Sequence, residues 1–221
     1  MSVFIKTNKD WTECLPNPKL IFIIVPGAGT YTNRKEYSLL QQNYDLVHFG
    51  SSGGKYDKYP SNWTNNKKVK DMGEHLGGIA GVIKSYILEN KKIPSAIISG
   101  SRGGQVTIGK VWYSIWRGPS IIVNAGCLTS NTIIPSGVKP LFITMGKDYF
   151  TTVNTIEKTI RLYYKLVKDR KQFAHFIHIP DQPHMPIFDG ELQGVLLNSV
   201  LYLLGIVDKI NNKTIISKRV N

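Results

Sequence analysis

Cysteine is scarce in this sequence, and long hydrophobic runs are absent. The 221 residues include two cysteines, Cys14 and Cys127, which are too few for a disulfide framework and lack the spacing of zinc ligands. The longest apolar runs, Leu20–Val25 and Val200–Val207, fall well short of the ~20 residues of a membrane-spanning helix. No secretory signal is legible at the amino terminus. We therefore expect an intracellular, cytoplasmic protein, a single domain over residues 1–221, that uses no metal and no cofactor.

Acidic residues and arginine are also in short supply. There are 28 lysines and arginines against 15 aspartates and glutamates, a net charge of +13, and only six of the basic residues are arginine. Lysine acts as a point charge, whereas arginine reads phosphates and bases with a fixed fork. The excess therefore predicts non-specific association with an anionic membrane or polyanion, without sequence-specific nucleic-acid binding. An AT-rich coding sequence would give the same lysine excess with no function attached, and both interpretations stay open.

What the sequence does contain is a regular alternation of two patterns. Hydrophobic residues make up 42% of the chain and charged residues 19%, enough for a sizeable core. Helical patterns alternate with short β-branched runs, which predicts an α/β fold: a doubly wound, mostly parallel sheet of about six or more strands with helices on both faces. The runs are typical of strands buried on both sides: Leu20–Val25, Asp45–Phe49, Ala96–Ser99, Ile121–Asn124, Leu141–Thr144 and Phe176–Ile179.

Two of the helical segments carry patterns that predict how they pack. Glycine recurs at every fourth residue in the helix before the third run, which favours close packing on the sheet over a membrane dimer motif because the segment is charged. In a later helix an apolar stripe predicts the buried face. The glycines are Gly73, Gly77 and Gly81, and the stripe is Ile156, Ile160, Tyr163, Tyr164 and Val167.

The loop after the third run has the pattern small-x-Ser-x-small, in Ser99–Gly103. This pattern indicates a nucleophile elbow, in which Ser101 takes a strained turn that points its hydroxyl above the sheet, and only small neighbours fit such a turn. The alternatives are a plain glycine-rich turn and a phosphate-binding loop, but for the second no Walker lysine follows. Chemistry is expected here because ligands of doubly wound folds bind at the carboxyl ends of the strands.

A glycine-rich loop, Pro-Gly-Ala-Gly-Thr, follows the first run. Its glycines would leave the backbone N–H of Ala28 facing an incoming carbonyl oxygen, and the N–H of Arg102 would be the second donor of an oxyanion hole. A plain strand-to-helix turn with glycines is the alternative. Gly27, His48 and Arg102 are the residues that we expect at the substrate rim.

At these motifs the chain resembles the α/β-hydrolase fold family, over about residues 20–207. The elbow, the glycine loop and two later loops, which contain Asp148 and His184, carry the resemblance. The order Ser101, Asp148, His184 is that of the family. The resemblance implies that Ser101 is the nucleophile, His184 the general base and Asp148 the orienting acid.

The residues themselves agree with these roles and leave one choice open. A serine needs a base to take its proton, and an imidazole needs a carboxylate to hold its tautomer. Of the five histidines, His184 alone lies in a proline-flanked loop after the last run. The acid is Asp148, although its spacing from the preceding glycine is one residue shorter than the family's, or Asp181, three residues before the histidine.

These observations predict a serine hydrolase that cleaves a small-molecule carboxylic ester or thioester through an acyl-enzyme. The alternative is a catalytically silent binding or scaffold protein on the same fold, since fold does not determine function. Residues 125–140 are too short and too rich in Gly, Pro and Ser for a helical cap. We therefore expect an open, shallow cleft, bordered at most by the loop Gly50–Pro60.

Overall fold

The computed structural model describes residues 3–6, 11–14, 19–24, 37–49, 66–125, 127–129, 131–148, 153–184 and 191–208. Six strands form one all-parallel sheet in the spatial order β4-β3-β5-β6-β7-β8. A separate antiparallel pair precedes it, in which Val3 pairs with Cys14. The strands are β1 (Val3–Lys6), β2 (Trp11–Cys14), β3 (Leu20–Ile24), β4 (Asp45–Phe49), β5 (Ala96–Gly100), β6 (Pro119–Val123), β7 (Lys139–Lys147) and β8 (His175–Pro183).

The six apolar runs of the sequence all form strands of the main sheet, which confirms the predicted α/β class. The pair β1–β2 was not predicted, because its two strands are four residues each and the apolar stretch in β1 is only three residues long. Of the predicted functional segments, Gly27, Ala28 and the loop Gly50–Pro60 lie outside the described residues.

Helices cover both faces of the sheet because successive side chains of each strand point to opposite sides. On β3, Ile21 and Ile23 pack with α6, while Phe22 and Ile24 pack with α2. The face that α6 covers is shared with α1, and the opposite face carries the remaining helices. The helices are α1 (Ser38–Gln41), α2 (Asn66–Asn90), α3 (Arg102–Val106), α4 (Trp112–Ser114), α5 (Val153–Tyr164) and α6 (Glu191–Leu203), with π-helical segments at Thr107–Val111 and Lys165–Asp169.

The predicted buried stripe of α5 is wrong by about one residue. Its members are half-buried, and the side chains that enter the core are Thr159, Leu162 and Leu166. Tyrosine is amphipathic and keeps its hydroxyl at water, so the two tyrosines flank the core while the aliphatic leucines fill it.

The prediction that glycines bring α2 close to the sheet is also wrong where it can be examined. A Cβ added at Gly77 or Gly81 would meet no atom within 4 Å, so neither position needs a glycine for packing. The surroundings of Gly73 lie outside the described part of the chain. The sheet-facing side chains of α2 are instead Ile79, Ile83 and Ile87, all buried. Among the described helices, none is both long and apolar enough to span a bilayer.

Candidate active site

Ser101 lies in the sharp turn between β5 and α3, at the carboxyl edge of the sheet. Its backbone angles are φ 51° and ψ −116°, a strained conformation for a residue with a side chain. Its N–H donates to the carbonyl of Val123 at 2.8 Å, which ties the turn to β6. Gly104 makes this arrangement possible, since a Cβ there would lie 2.5 Å from the Cβ of Ala125. The turn therefore has the backbone geometry of a nucleophile elbow.

The ends of β7 and β8 approach each other unusually closely just before Asp148. A Cβ at Gly146 would lie 2.2 Å from the carbonyl oxygen of Pro180, so only glycine fits there. The register of the two strands shifts between Met145 and Lys147. This irregularity brings the loop after β7 and the last residues of β8 together.

The structure brings Ser101, His184 and Asp148 into one hydrogen-bonded chain. His184 Nε2 lies 2.8 Å from Ser101 Oγ, and His184 Nδ1 lies 2.7 Å from Asp148 Oδ2. The Asp148 side chain is fully buried and the His184 side chain is 8% exposed. A buried carboxylate accepts the Nδ1 hydrogen, which leaves Nε2 as the acceptor that faces the serine hydroxyl. Such a chain can remove a proton from Ser101 when its oxygen attacks a carbonyl.

Asp181, the other candidate acid, is not at the histidine. Its carboxylate pairs with the Lys147 ammonium at 3.3 Å, and the two side chains are 79% and 66% exposed. The strand β8 still includes Asp181, so the chain has not yet turned back toward the sheet edge at this residue. Of the two carboxylates, the structure places Asp148 against His184.

Asn124 belongs to the site and escaped the sequence analysis. It is buried, directly follows β6, and has a left-handed φ of 50°. Its Nδ2 donates to the carbonyl of His184, and its Oδ1 accepts the N–H of Met145, both at 2.9 Å. One side chain thus joins β7, which leads to Asp148, to the backbone of His184. A polar residue immediately after a buried strand was the available signal.

The remaining predicted rim and oxyanion-hole residues are Arg102, Gly27, Ala28 and His48. Arg102 is half-buried at the first position of α3, but the loop with Gly27 and Ala28, the other predicted donor, is not described. The His48 ring packs edge-on against Tyr37, with ring centroids 5.8 Å apart. Burial lowers the pKa of His48. No contact between His48 and Ser101 is found among the described residues, so its place at the rim stays a prediction.

A cavity of about 10 Å³, the size of a single water molecule, adjoins the ends of β6 and β7. Ser101, Asp148 and His184 are not among its lining residues. The described residues between Val123 and Lys139 form turns without a helix. No group of three His, Cys, Asp or Glu side chains among the described residues could hold a metal ion. The cavity is lined by Ile122, Asn124, Ala125, Leu128, Phe142, Ile143, Thr144, Ile156 and Thr159.

No protein-family model matches the chain, and no curated protein matches its sequence. Solved structures do match. An uncharacterized protein from Bacillus cereus ATCC 10987 aligns with a TM-score of 0.62 at 13% identity, over 91% of this chain and 64% of that one. SOBER1 from Arabidopsis thaliana aligns with a TM-score of 0.52 at 13% identity, over 84% and 99% of the two chains. An alpha-beta serine hydrolase homologue from Coxiella burnetii aligns with a TM-score of 0.50 at 12% identity, over 92% and 97%.

These likenesses establish the fold. The chain spans less than two thirds of the Bacillus cereus protein and almost the whole of the other two. It has the α/β-hydrolase fold, which it shares with serine hydrolases, as the resemblance of its motifs implied.

Proposed function

We propose that this protein is a serine hydrolase that cleaves a carboxylic ester or thioester through an acyl-enzyme. The observation that supports this proposal is the continuous chain from Ser101 Oγ through the His184 ring to Asp148 Oδ2, with distances of 2.8 and 2.7 Å. The strained backbone of the serine and the buried carboxylate add to it, because both are costly unless the site uses them.

In the proposed reaction Ser101 Oγ attacks the carbonyl carbon while His184 Nε2 takes the hydroxyl proton. The resulting oxyanion is stabilised by the N–H groups of Arg102 and Ala28. The carbonyl re-forms as the bond to the leaving alcohol or thiol breaks, and Nε2 returns the proton to that group. Water then repeats the cycle on the acyl-serine and releases the acid. Asp148 holds the imidazole in the required tautomer throughout.

A fluorophosphonate probe tests the proposal directly, because it reacts with activated serines. We expect a single adduct at Ser101 by mass mapping, and loss of both labelling and ester hydrolysis in Ser101→Ala. Ser114→Ala is the matched control: its hydroxyl is bonded to the Lys110 carbonyl on the outside of the helix, and labelling should be unchanged. Labelling at another residue, or none in folded protein, would refute the proposal and favour a silent binding protein.

The proposed substrate has a short acyl group. The described part of the β6–β7 connection contains no helix, so it supplies no helical cap to cover a long acyl chain. Each CH₂ that stays in water forfeits ~0.8 kcal/mol of binding. We expect p-nitrophenyl acetate or butyrate to be cleaved with a higher kcat/KM than the palmitate ester, without activation at a lipid interface. A preference for palmitate in matched detergent would contradict this.

A further inference from the structure

The side of the sheet where the parallel strands begin, opposite Ser101, carries a cluster of exposed basic side chains. The segments that lead into β5, β6 and β8 lie on this side, and the candidate active site lies on the other side, where the strands end. Each of these segments contributes at least one lysine or arginine. We call the following exposed residues the basic edge: Lys91, Lys92, Arg117, Lys168, Arg170 and Lys171.

Acidic residues on this side do not balance the cluster. Glu89, Asp169 and Asp208 are exposed there and offset half of the basic edge. Lys19 and Asp45, which a backbone hydrogen bond joins where β3 and β4 begin, add one charge of each sign. An excess of positive charge therefore remains along the starts of the strands.

Exposed hydrophobic side chains lie beside these charges. Phe173 lies two residues before β8, and its ring lies 6.2 Å from that of Tyr202, which precedes Ile206 by four residues. The Tyr113 hydroxyl donates to the carbonyl of Ile133 at 2.7 Å. We call these four side chains the apolar row, and their exposed fractions are Tyr113 45%, Ile133 62%, Phe173 39% and Ile206 61%.

Hydrogen bonds connect the two halves of the apolar row. The Gln172 amide donates to the carbonyls of Ile134 and Pro135, each at 3.3 Å. These two bonds join the loop that bears Ile133 to the residue before Phe173. Ile133 and Phe173 therefore lie on two segments that are held together, and Lys171 directly precedes the bonded glutamine.

The backbone of the basic edge is strained at two lysines. Four described residues other than glycine have positive φ, and two of them, Ser101 and Asn124, belong to the candidate active site. The other two are Lys91 and Lys171, at φ 50° and 51°. Both stand in short turns that lead into strands, where glycine is the favoured residue. A lysine in this backbone conformation costs more free energy than a glycine. Such a cost is expected where the positive charge of the lysine has a function.

We propose that the basic edge and the apolar row form a docking surface for an anionic phospholipid bilayer. Lysine and arginine would lie at the anionic headgroups, and the apolar row would enter the interface between headgroups and acyl chains. A nucleic acid fits less well, because the exposed isoleucines offer nothing to phosphates or to base stacking. Bound in this way, the protein turns Ser101 toward water, away from the membrane. The proposal does not depend on the hydrolase activity.

Co-sedimentation with vesicles tests the proposal on the full chain. We expect binding to phosphatidylcholine vesicles that contain phosphatidylserine, weakened by salt, and little binding to phosphatidylcholine alone. Lys91→Gly with Lys171→Gly removes two charges and relieves both strained positions, so the fold should not suffer. Each lost charge lowers partition about fivefold, or about 25-fold together. The control pair Lys147→Gln with Lys158→Gln removes the same charge elsewhere and should lower partition far less.

A second pair of variants separates the apolar contribution from the charge. Ile133→Ser with Ile206→Ser should weaken vesicle binding several-fold and leave salt-dependent retention on heparin unchanged. The proposal is overturned if the wild type does not bind anionic vesicles, or if the control pair loses as much vesicle binding as the glycine pair. It is also overturned if the serine pair binds vesicles as well as the wild type does. Tighter binding to single-stranded DNA than to vesicles would assign the surface to nucleic acid instead. Hydrolysis of a soluble ester should be the same in all these lysine-to-glycine and isoleucine variants.

Discussion

Replacing the carboxylate behind the histidine is the sharpest test of the candidate active site. In Asp148→Asn the amide NH₂ can face His184 Nδ1, which forces the proton onto Nε2, the atom that must accept the proton of Ser101. Serine proteases lose about 10⁴-fold in kcat from the equivalent change. At 1.36 kcal/mol for each factor of ten, this is about 5.4 kcal/mol of transition-state stabilisation. We expect a loss of that order here, because the Asp148 side chain is fully buried and 2.7 Å from the ring.

Asp181→Asn is the matched control for this change. It removes the same charge, but from an exposed pair with Lys147 at 3.3 Å, and such surface pairs contribute about 0–1 kcal/mol. Its kcat/KM for p-nitrophenyl acetate should therefore stay within a few-fold of the wild type. Thermal unfolding of both variants checks that the fold is intact. The reasoning is refuted if Asp148→Asn keeps activity within tenfold, or if Asp181→Asn is the more damaging of the two.

Three further predictions concern Gly146, Asn124 and His48. Gly146→Ala forces β8 away from β7, so it should lower the free energy of unfolding in urea by about 1–3 kcal/mol and remove most of the activity. Gly109→Ala is the control: its Cβ would meet nothing within 4 Å, so it should leave activity unchanged and should not lower stability. Asn124→Gly keeps the left-handed turn but loses both side-chain hydrogen bonds, so kcat should fall with KM unchanged. Gln172→Ala is the control, because it loses the side-chain hydrogen bonds to the carbonyls of Ile134 and Pro135 and should spare kcat. Burial lowers the pKa of His48, so the unfolded chain binds the proton more tightly than the folded chain. The free energy of unfolding should therefore fall as pH drops below about 6.5. In His48→Phe this fall should be smaller, and an unchanged pH dependence would contradict the lowered pKa of His48.

The sequence alone determined the layers of this fold and the candidates for its chemistry. Continuous β-branched runs mark strands buried on both faces whatever their partners, since neither side of such a run tolerates water. All six runs form strands of the parallel sheet. The elbow around Ser101 was legible for the same reason, because its demand for small residues is local and falls within five consecutive positions.

Tertiary structure alone decided which side chains meet. Asp148 and Asp181 stand equally near the end of a strand in the sequence, and only the close approach of β7 and β8 at Gly146 places the first against His184 and leaves the second at the surface. Asn124 likewise gains its partners 21 and 60 residues away. Such contacts depend on the register between strands and on a bulge, which neighbouring residues do not encode. They are set by how the whole sheet packs.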